Sequence, residues 1–228
     1  SDLECEDNAF SVKIGGDGSM SSENIDDPGL LSGGEIATSR LDFSYDGVDT
    51  LTITATNTAC SDTNPTEKST LQSIYFNTQT ATLTNLHVSG TTGTVTGTWN
   101  LCTVEMADGF GTFDYRITTA ACGTSGSNEG VVSEEVSSAC VDGSATFTLK
   151  VSPTTVTACD FQDTSNPPEN ERAAQFATKF QDATQGGSGF LSPCGEGDLL
   201  VELRSFDAVP SDNAVQLDWE TAVEIDNQ

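Results

Sequence analysis

Short runs in which apolar and polar side chains alternate fill most of the chain from Ile36 onward. β-Branched and aromatic residues recur at every second position of these runs, as they do in half-buried strands. Turn-forming pairs such as Asp-Gly, Ser-Gly and Asn-Pro separate the runs at the roughly 8–12-residue spacing of sandwiches and barrels. The pattern predicts an all-β protein, an antiparallel β-sandwich of the jelly-roll or immunoglobulin-like kind. The runs are EIATSRLDFSY, DTLTITATNT, STLQSIYFNT, ATLTNLHVSG, GTVTGTWNL, GTFDYRITTA, GVVSEEVSSA and SATFTLKVS.

The two ends of the chain differ from this body. Near the N-terminus only AFSVKI alternates, and residues 15–34, rich in Gly, Ser and acidic residues, are predicted to form a long loop. Near the C-terminus the runs GDLLVELRSFDAV and NAVQLDWETAVE predict a pair of strands within residues 199–223.

One segment has a helical period instead. Ala173, Phe176, Ala177 and Phe180 fall at i, i+3, i+4 and i+7, which places them on one face of a helix. An asparagine and a proline precede the segment and a Gly-Gly pair follows it, as at helix ends. We predict a single amphipathic helix at about residues 168–182, with the two phenylalanines as core anchors rather than ligand contacts.

Charge is the extreme feature of the composition. The chain has 35 Asp and Glu against 8 Lys and Arg, a formal net charge of −27. Such a surface repels nucleic acid and anionic lipid, so neither is an expected partner. Because 35% of the residues are hydrophobic and occur in regular runs, we predict a folded acidic protein rather than a disordered one. The charge suits a salty or extracellular medium and attracts cations.

Seven cysteines are spread along the chain without a C-x-x-C pair, which disfavours zinc ribbons and thioredoxin-like chemistry. Disulfides formed in an oxidising compartment are the simpler interpretation. No apolar run approaches about 18 residues, so we expect no membrane insertion, and a secretory leader could already have been removed before Ser1. Seven is odd, so at least one thiol is free or bonded outside this sequence. The disulfide candidates are Cys5, Cys60, Cys102, Cys122, Cys140, Cys159 and Cys194.

Catalytic motifs are weak. His87 is the only histidine, so any Ser-His or Cys-His site would depend on it. The serines in GTSGS and GGSGF do not fit the nucleophile elbow G-x-S-x-G, which needs a glycine two residues away on each side of the serine. Two carboxylates could act as a glycosidase pair, but among 35 acids some pair falls at any chosen distance. We predict no catalytic activity.

Clustered loop carboxylates are the candidate metal ligands. Calcium takes oxygen ligands, which β-sandwich loops supply without needing a contiguous motif. Neighbouring carboxylates repel unless a cation or water lies between them, and hydration by water is the alternative to a bound ion. The candidate calcium ligands are Asp17, Glu23, Asp26 and Asp27 in the N-terminal loop and Asp46 and Asp49 in YDGVD.

Glycan recognition would require exposed aromatic side chains beside polar groups. The aromatic residues in question all lie in strand-like runs, where a buried role in the core is the alternative. They are Tyr45, Tyr75, Trp99, Tyr115 and Trp219.

Several motifs follow one another in a recognisable order over about residues 36–195. They are LDFSYDGVDTLTITATNT, STLQSIYFNT, LTNLHVSG, DGFGTFDYRI and AAQFATKFQDATQGGSGFLS. This succession resembles exported β-sandwich proteins of Gram-negative bacteria that often end in PEP-CTERM or related sorting signals. The resemblance implies export and placement at the cell surface, without implying an activity.

A shorter stretch, FDAVPSDNAVQLDWETAVEIDNQ at residues 206–228, resembles the opening of a fibronectin-III-like module of secreted bacterial proteins. Such a module needs about seven strands, and this stretch supplies two. We therefore expect a disulfide-bonded sandwich over residues 1–195, followed over residues 196–228 by an incomplete module or by strands used in assembly.

Together these patterns predict a secreted or cell-surface protein with a structural or adhesive role. Its partners would be identical subunits or other matrix components, joined by strand addition. A calcium-dependent module that binds polysaccharide is the alternative, and an enzyme ranks third. The expected assembly residues are Val201, Leu203, Phe206, Val215, Leu217 and Trp219.

Overall fold

The chain divides into two compact units, Ser1–Gly195 and Glu196–Gln228. Within the described residues no α-helix occurs, and Ala158–Phe161 form one 3₁₀ turn. No helix in that part of the chain is long and apolar enough to cross a membrane. The computed structural model describes residues 8–15, 20–21, 37–59, 69–124, 129–132, 134–136, 139–168, 173–182, 188–193, 203–211 and 214–221.

Antiparallel strands make up most of the described residues of both units, as the alternating runs predict. They are β1 (Ala9–Ile14), β2 (Met20–Ser21), β3 (Ser39–Tyr45), β4 (Thr50–Asn57), β5 (Ser69–Phe76), β6 (Thr82–Thr92), β7 (Thr94–Val95), β8 (Asn100–Ala107), β9 (Gly111–Thr118), β10 (Val131–Val132), β11 (Glu134–Val136), β12 (Ala139–Val141), β13 (Gly143–Ser152), β14 (Phe176–Asp182), β15 (Ser188–Ser192), β16 (Leu203–Ser211) and β17 (Ala214–Thr221). AFSVKI is β1, and the short strand β2 lies inside the predicted loop at 15–34.

Two large sheets dominate the described part of the larger unit. The first has the strand order β1-β3-β4-β13-β6, and the second contains β2-β15-β14-β5-β10-β7. In the second sheet β5 also pairs with β9, which pairs with β8. Strands β11 and β12 form a separate two-stranded sheet. The all-β sandwich predicted from the sequence is confirmed.

The main core lies between the two sheets and includes a cluster of aromatic rings. Phe43 of β3 stacks on Phe10 of β1, with ring centroids 4.7 Å apart. Across the interface, Phe43 contacts Phe76 of β5 and Phe176 of β14 at centroid distances of 5.6 and 5.2 Å. Because all four rings are buried, one aromatic cluster joins the sheets.

A second apolar cluster lies on the opposite face of the second sheet, away from this core. Its buried members are Tyr75, Ala107, Phe110, Phe113, Ala174 and Ala177, with Phe190 packed against them. The second sheet is therefore covered on both faces at β5 and β14, which explains why almost every residue of these strands is buried.

Near the middle of both β8 and β9, the regular alternation of side chains between the two faces of the sheet is interrupted, so that the faces are exchanged. In β9, Phe113 packs in the second cluster whereas Tyr115 packs in the main core, although alternate residues of a regular strand share a face. In β8 the change falls at Val104, whose φ of 55° is a left-handed conformation that a β-branched residue rarely adopts. This exchange places the side chain of Glu105 on the same face of the sheet as that of Cys102.

The helix predicted at 168–182 is wrong. Phe176–Asp182 is β14, paired with β5 on one side and β15 on the other, while residues 169–172 lie outside the described residues. A spacing of four places Phe176 and Phe180 on one face of a strand as well as of a helix. Ala177 is also buried, because both faces of β14 are covered. The apolar residues of the strand therefore have the same spacing as one face of a helix. The prediction that both phenylalanines are core anchors is confirmed.

The smaller unit contains the hairpin β16–β17, in the region predicted to form a strand pair. Its register runs from Leu203 opposite Thr221 to Ser211 opposite Ala214, with one irregularity between Leu203 and Ser205. Within the described residues each of these strands pairs only with the other.

Candidate functional site

A buried ion pair lies on the face of the second sheet opposite the main core. The side chains of Arg116 and Glu105 are 2% and 10% exposed. Arg116 Nη1 donates to Glu105 Oε2 at 3.2 Å and to the Thr124 carbonyl at 2.8 Å. The Gly123 N–H donates to the other carboxylate oxygen, Oε1, at 2.7 Å. Each charge is therefore compensated, as buried ions must be.

Hydroxyl groups extend this network into β5. Arg116 Nε and Nη2 each donate to Ser73 Oγ at 3.3 Å. Ser73 Oγ lies 2.7 Å from Thr118 Oγ1, which accepts a hydrogen bond from the Ala120 N–H at 3.1 Å. The guanidinium thus ties β9 to β5 and to the loop that follows β9.

Aromatic rings surround the buried cations on this face. The guanidinium carbon of Arg116 lies 5.4 Å from the centre of the Tyr75 ring, and Lys179 Nζ lies 5.4 Å from that of Phe190. Burial raises the pKa of Tyr75 to about 12, so its phenol is neutral. Burial, and secondly the charge of Arg116, lower the pKa of Lys179. These contacts are cation–π interactions, which stabilise desolvated cations.

A disulfide joins β8 to the loop over this ion pair. Cys102 and Cys122 are bonded across a sequence separation of 20, which fixes the loop that contains Gly123 and Thr124. Closing a ring of this size stabilises a fold by about 3 kcal/mol in the chain-entropy model. The two sulfurs and a Glu105 oxygen lie within 4.8 Å of one another. Because the sulfurs are bonded together, they offer no thiolates to a metal.

The predicted use of cysteines in disulfides is therefore confirmed for Cys102 and Cys122. Cys159 is disulfide-bonded as well. Cys5, Cys60 and Cys194 lie outside the described residues, and of Cys140 only the backbone, in β12, is described.

A polar cleft of about 300 Å³ opens at the point where β8 and β9 exchange faces. Its walls are the β5–β6 turn at residues 78–81, residues 103–104 of β8, and residues 114–115 of β9. Three of the lining side chains, Gln79, Thr80 and Thr103, are exposed and make no hydrogen bond to any described residue.

Hydrogen bonds hold the walls of this cleft together. The Asp114 N–H donates to Asn77 Oδ1 at 2.7 Å, and the Thr78 N–H donates to Asp114 Oδ2 at 3.1 Å. Tyr115 Oη accepts from the Leu83 N–H at 3.0 Å. The cleft is thus formed by the fold itself, as small-molecule sites usually are.

Asp46 and Asp49, two of the candidate calcium ligands, lie in the β3–β4 turn. Asp46 Oδ1 accepts the backbone N–H groups of Val48, Asp49 and Thr50 at 2.8, 2.9 and 2.9 Å. These bonds, first the one from Thr50, lower the pKa of Asp46. Lys150 Nζ donates to Asp49 Oδ1 at 2.6 Å and, as the largest cause, lowers the pKa of Asp49. Protein donors therefore already compensate both carboxylates.

Replacing Asp46 with alanine is expected to lower the melting temperature at about pH 7, because three turn N–H groups lose their acceptor. The pKa of folded Asp46 lies below its ordinary 3.8, so the carboxylate stabilises the fold above that pH. This stabilisation is lost as the pH falls through the folded pKa, and the difference from the original protein should shrink there. Thermal unfolding at several pH values measures it. Asp142→Ala, at an exposed acid, is the control, and equal melting temperatures at about pH 7 would contradict the expectation.

Other predicted site residues lie outside what the structure describes. This applies to the N-terminal calcium candidates Asp17, Glu23, Asp26 and Asp27, and to Val201. Calcium binding stays a prediction. Among the assembly residues, the backbones of Leu203 and Phe206 lie in β16, and those of Val215, Leu217 and Trp219 lie in β17.

The aromatic residues considered for glycan binding do not form an exposed platform within the described residues. Tyr45, Tyr75 and Tyr115 are buried. Trp99 is half-buried and packs edge-on against Phe147, with ring centroids 4.8 Å apart. These four residues therefore have the role in the core that was the alternative to glycan binding.

His87 lies exposed on β6, opposite Thr148 of β13. Within the described residues no carboxylate or hydroxyl is hydrogen-bonded to its ring. The described surroundings therefore do not orient the imidazole as the base of a nucleophilic triad.

Sequence reasoning missed both the ion pair and the cleft. One signal was available for the first: an arginine inside the apolar run GTFDYRITTA, in a chain with only 8 basic residues. A charge at a strand position in such a run predicts a buried partner. For the cleft no local signal existed, since its walls come from three separate segments.

Comparison of the chain with models of known protein families, with curated proteins and with solved structures finds no match.

Proposed function

We propose that this protein is a secreted or cell-surface structural and adhesive β-sandwich protein. In this proposal it has no catalytic activity and associates with further copies of itself through the hairpin β16–β17. Strand addition would join the hairpin to a sheet of a neighbouring subunit.

The pairing of the hairpin is the observation that carries the proposal. Within the described residues, β16 and β17 pair with each other and with no third strand. A two-stranded hairpin alone is marginally stable in water, because it buries little apolar surface. Each of its strands also has one edge of N–H and C=O groups that is open to a further strand. A third strand from a neighbour would satisfy such an edge.

Two further observations support a location outside the cytoplasm. The disulfide Cys102–Cys122 and the disulfide-bonded Cys159 suit an oxidising compartment. The net charge of −27 suits a medium whose salt screens the repulsion between copies.

The experiment is sedimentation of the full chain over a range of concentrations at low and high salt. We expect reversible oligomers that become more stable as salt increases, because copies with a charge of −27 repel one another at low salt. Successive N–H groups of a strand point to opposite sides. Either Gln216→Pro or Leu217→Pro therefore removes a backbone N–H group that points away from β16, toward a neighbouring subunit. That variant should dissociate the oligomer.

Gln216→Ala is the matched control, since it keeps the N–H group and should leave the oligomer intact. Near-UV circular dichroism should show that the larger unit is unchanged in all three variants. A chain that remains monomeric at both salt concentrations would refute self-association through this hairpin.

A further inference from the structure

The cleft between β8, β9 and the β5–β6 turn offers a ligand hydrogen-bonding groups that the fold does not use. The side chains of Gln79, Thr80 and Thr103 are exposed and make no hydrogen bond to described residues. They supply two hydroxyls and an amide, each able both to donate and to accept. By contrast, the Thr78 hydroxyl donates to the Ala81 carbonyl at 2.7 Å and so belongs to the wall.

Val104 adds an apolar surface to the same cleft. Its side chain is 76% exposed, an unusual position for valine, and its φ is 55°. A left-handed conformation costs a β-branched residue on the order of 1–2 kcal/mol. Backbone strain of this kind persists where the surrounding structure fixes it, and such outliers cluster at functional sites. In this protein the left-handed conformation of Val104 lies where β8 exchanges faces, and the cleft opens at the same place.

Charge restricts the class of ligand. Among the described residues that line the cleft, Asp114 is the only ionisable side chain apart from the Tyr115 phenol, and none is cationic. In a chain of net charge −27, phosphates, uronic acids and sialic acids would be repelled. The volume of about 300 Å³ is at the lower end of small-molecule sites.

We propose that this cleft binds a neutral saccharide unit. The hydroxyl groups of the sugar would bond to Gln79, Thr80 and Thr103, and its C–H surface would pack on Val104. The site needs neither calcium nor an aromatic platform. It is independent of the hairpin, so it would give an adhesive protein a ligand as well as a self-association surface.

Nuclear magnetic resonance titration of the full chain tests this proposal. The probes are the neutral disaccharides lactose, maltose and cellobiose, with sialyllactose as the anionic comparison. We expect saturable shifts at residues 78–81, 103–104 and 114–115 with at least one neutral sugar. An open cleft with few contacts should give a dissociation constant on the order of 1 mM. Sialyllactose should bind more weakly than lactose.

Variants assign the binding to the cleft. Thr80→Val and Thr103→Val keep the side-chain shape and remove a hydroxyl, and each should weaken binding about threefold to tenfold. Thr84→Val, at an exposed threonine of β6, is the matched control and should leave the dissociation constant unchanged.

Two results would overturn the proposal. One is the absence of saturable shifts with every neutral disaccharide up to about 50 mM, well above the expected dissociation constant. The other is binding that maps to other residues or is unaffected by both threonine variants. Because titration and sedimentation report on different residues, failure of either proposal leaves the other open to its own result.

Discussion

Replacing Phe43 with alanine is expected to lower the free energy of unfolding by about 3–5 kcal/mol. The side chain is 1% exposed and contacts Phe10, Phe76 and Phe176. Its removal would leave a cavity where the two sheets meet and abolish three aromatic contacts, each worth about 0.5–1.5 kcal/mol beyond burial. Urea denaturation followed by circular dichroism measures the change.

Two variants check the cause of this loss. Phe43→Leu keeps most of the buried volume but also abolishes the three aromatic contacts, so it should cost less than Phe43→Ala, about 1.5–3 kcal/mol. Val48→Ala, at a residue that is 63% exposed, should change stability by less than about 0.5 kcal/mol. If Phe43→Ala were no more destabilising than Val48→Ala, the aromatic cluster would not be the junction between the sheets.

Glu105→Ala is expected to cost about 3–5 kcal/mol, because it leaves the guanidinium of Arg116 buried without its counter-charge. The loss should be largely recovered in the double variant Glu105→Leu, Arg116→Met, since removing both charges also removes the desolvation penalty. Guanidinium chloride would screen these charges, so the two variants are compared by urea denaturation.

The exposed pair Arg40–Asp42 is the matched control for this experiment. Its side chains are 57% and 32% exposed, and its N–O distance is 2.9 Å. Arg40→Ala should change stability by about 1 kcal/mol or less, since water solvates the remaining carboxylate. An equal cost for Glu105→Ala and Arg40→Ala would show that burial does not determine the strength of these pairs.

The strands could be predicted because their burial follows the alternation that the sequence displays. In β1, for example, Phe10, Val12 and Ile14 are buried while Ser11 and Lys13 are exposed. In β14 the same reasoning failed. That strand is covered on both faces, and the resulting pattern no longer distinguishes a period of two from a period of 3.6.

The residues of the candidate site were harder to predict, because they depend on backbone geometry that the sequence does not display. Valine gives no local indication of a left-handed conformation, yet Val104 decides that Glu105 faces Arg116. Likewise, seven cysteines allow many pairings, so Cys102–Cys122 could not be identified from spacing. Asp46, by contrast, was predicted as a calcium ligand in a loop, and the structure places it in the β3–β4 turn, where its carboxylate accepts three N–H groups.

The disulfide Cys102–Cys122 has a consequence for the order of folding. Its covalent ring contains most of β8, all of β9 and both halves of the ion pair. In the oxidised unfolded chain these strands cannot separate far, so the entropy cost of pairing them is low. Pairing β13 with β4 requires residues about 90 positions apart to meet, as Thr146 and Thr54 do, which is slower. Refolding of the oxidised chain should therefore begin at β8–β9, so that two of the three walls of the cleft form before the sandwich closes.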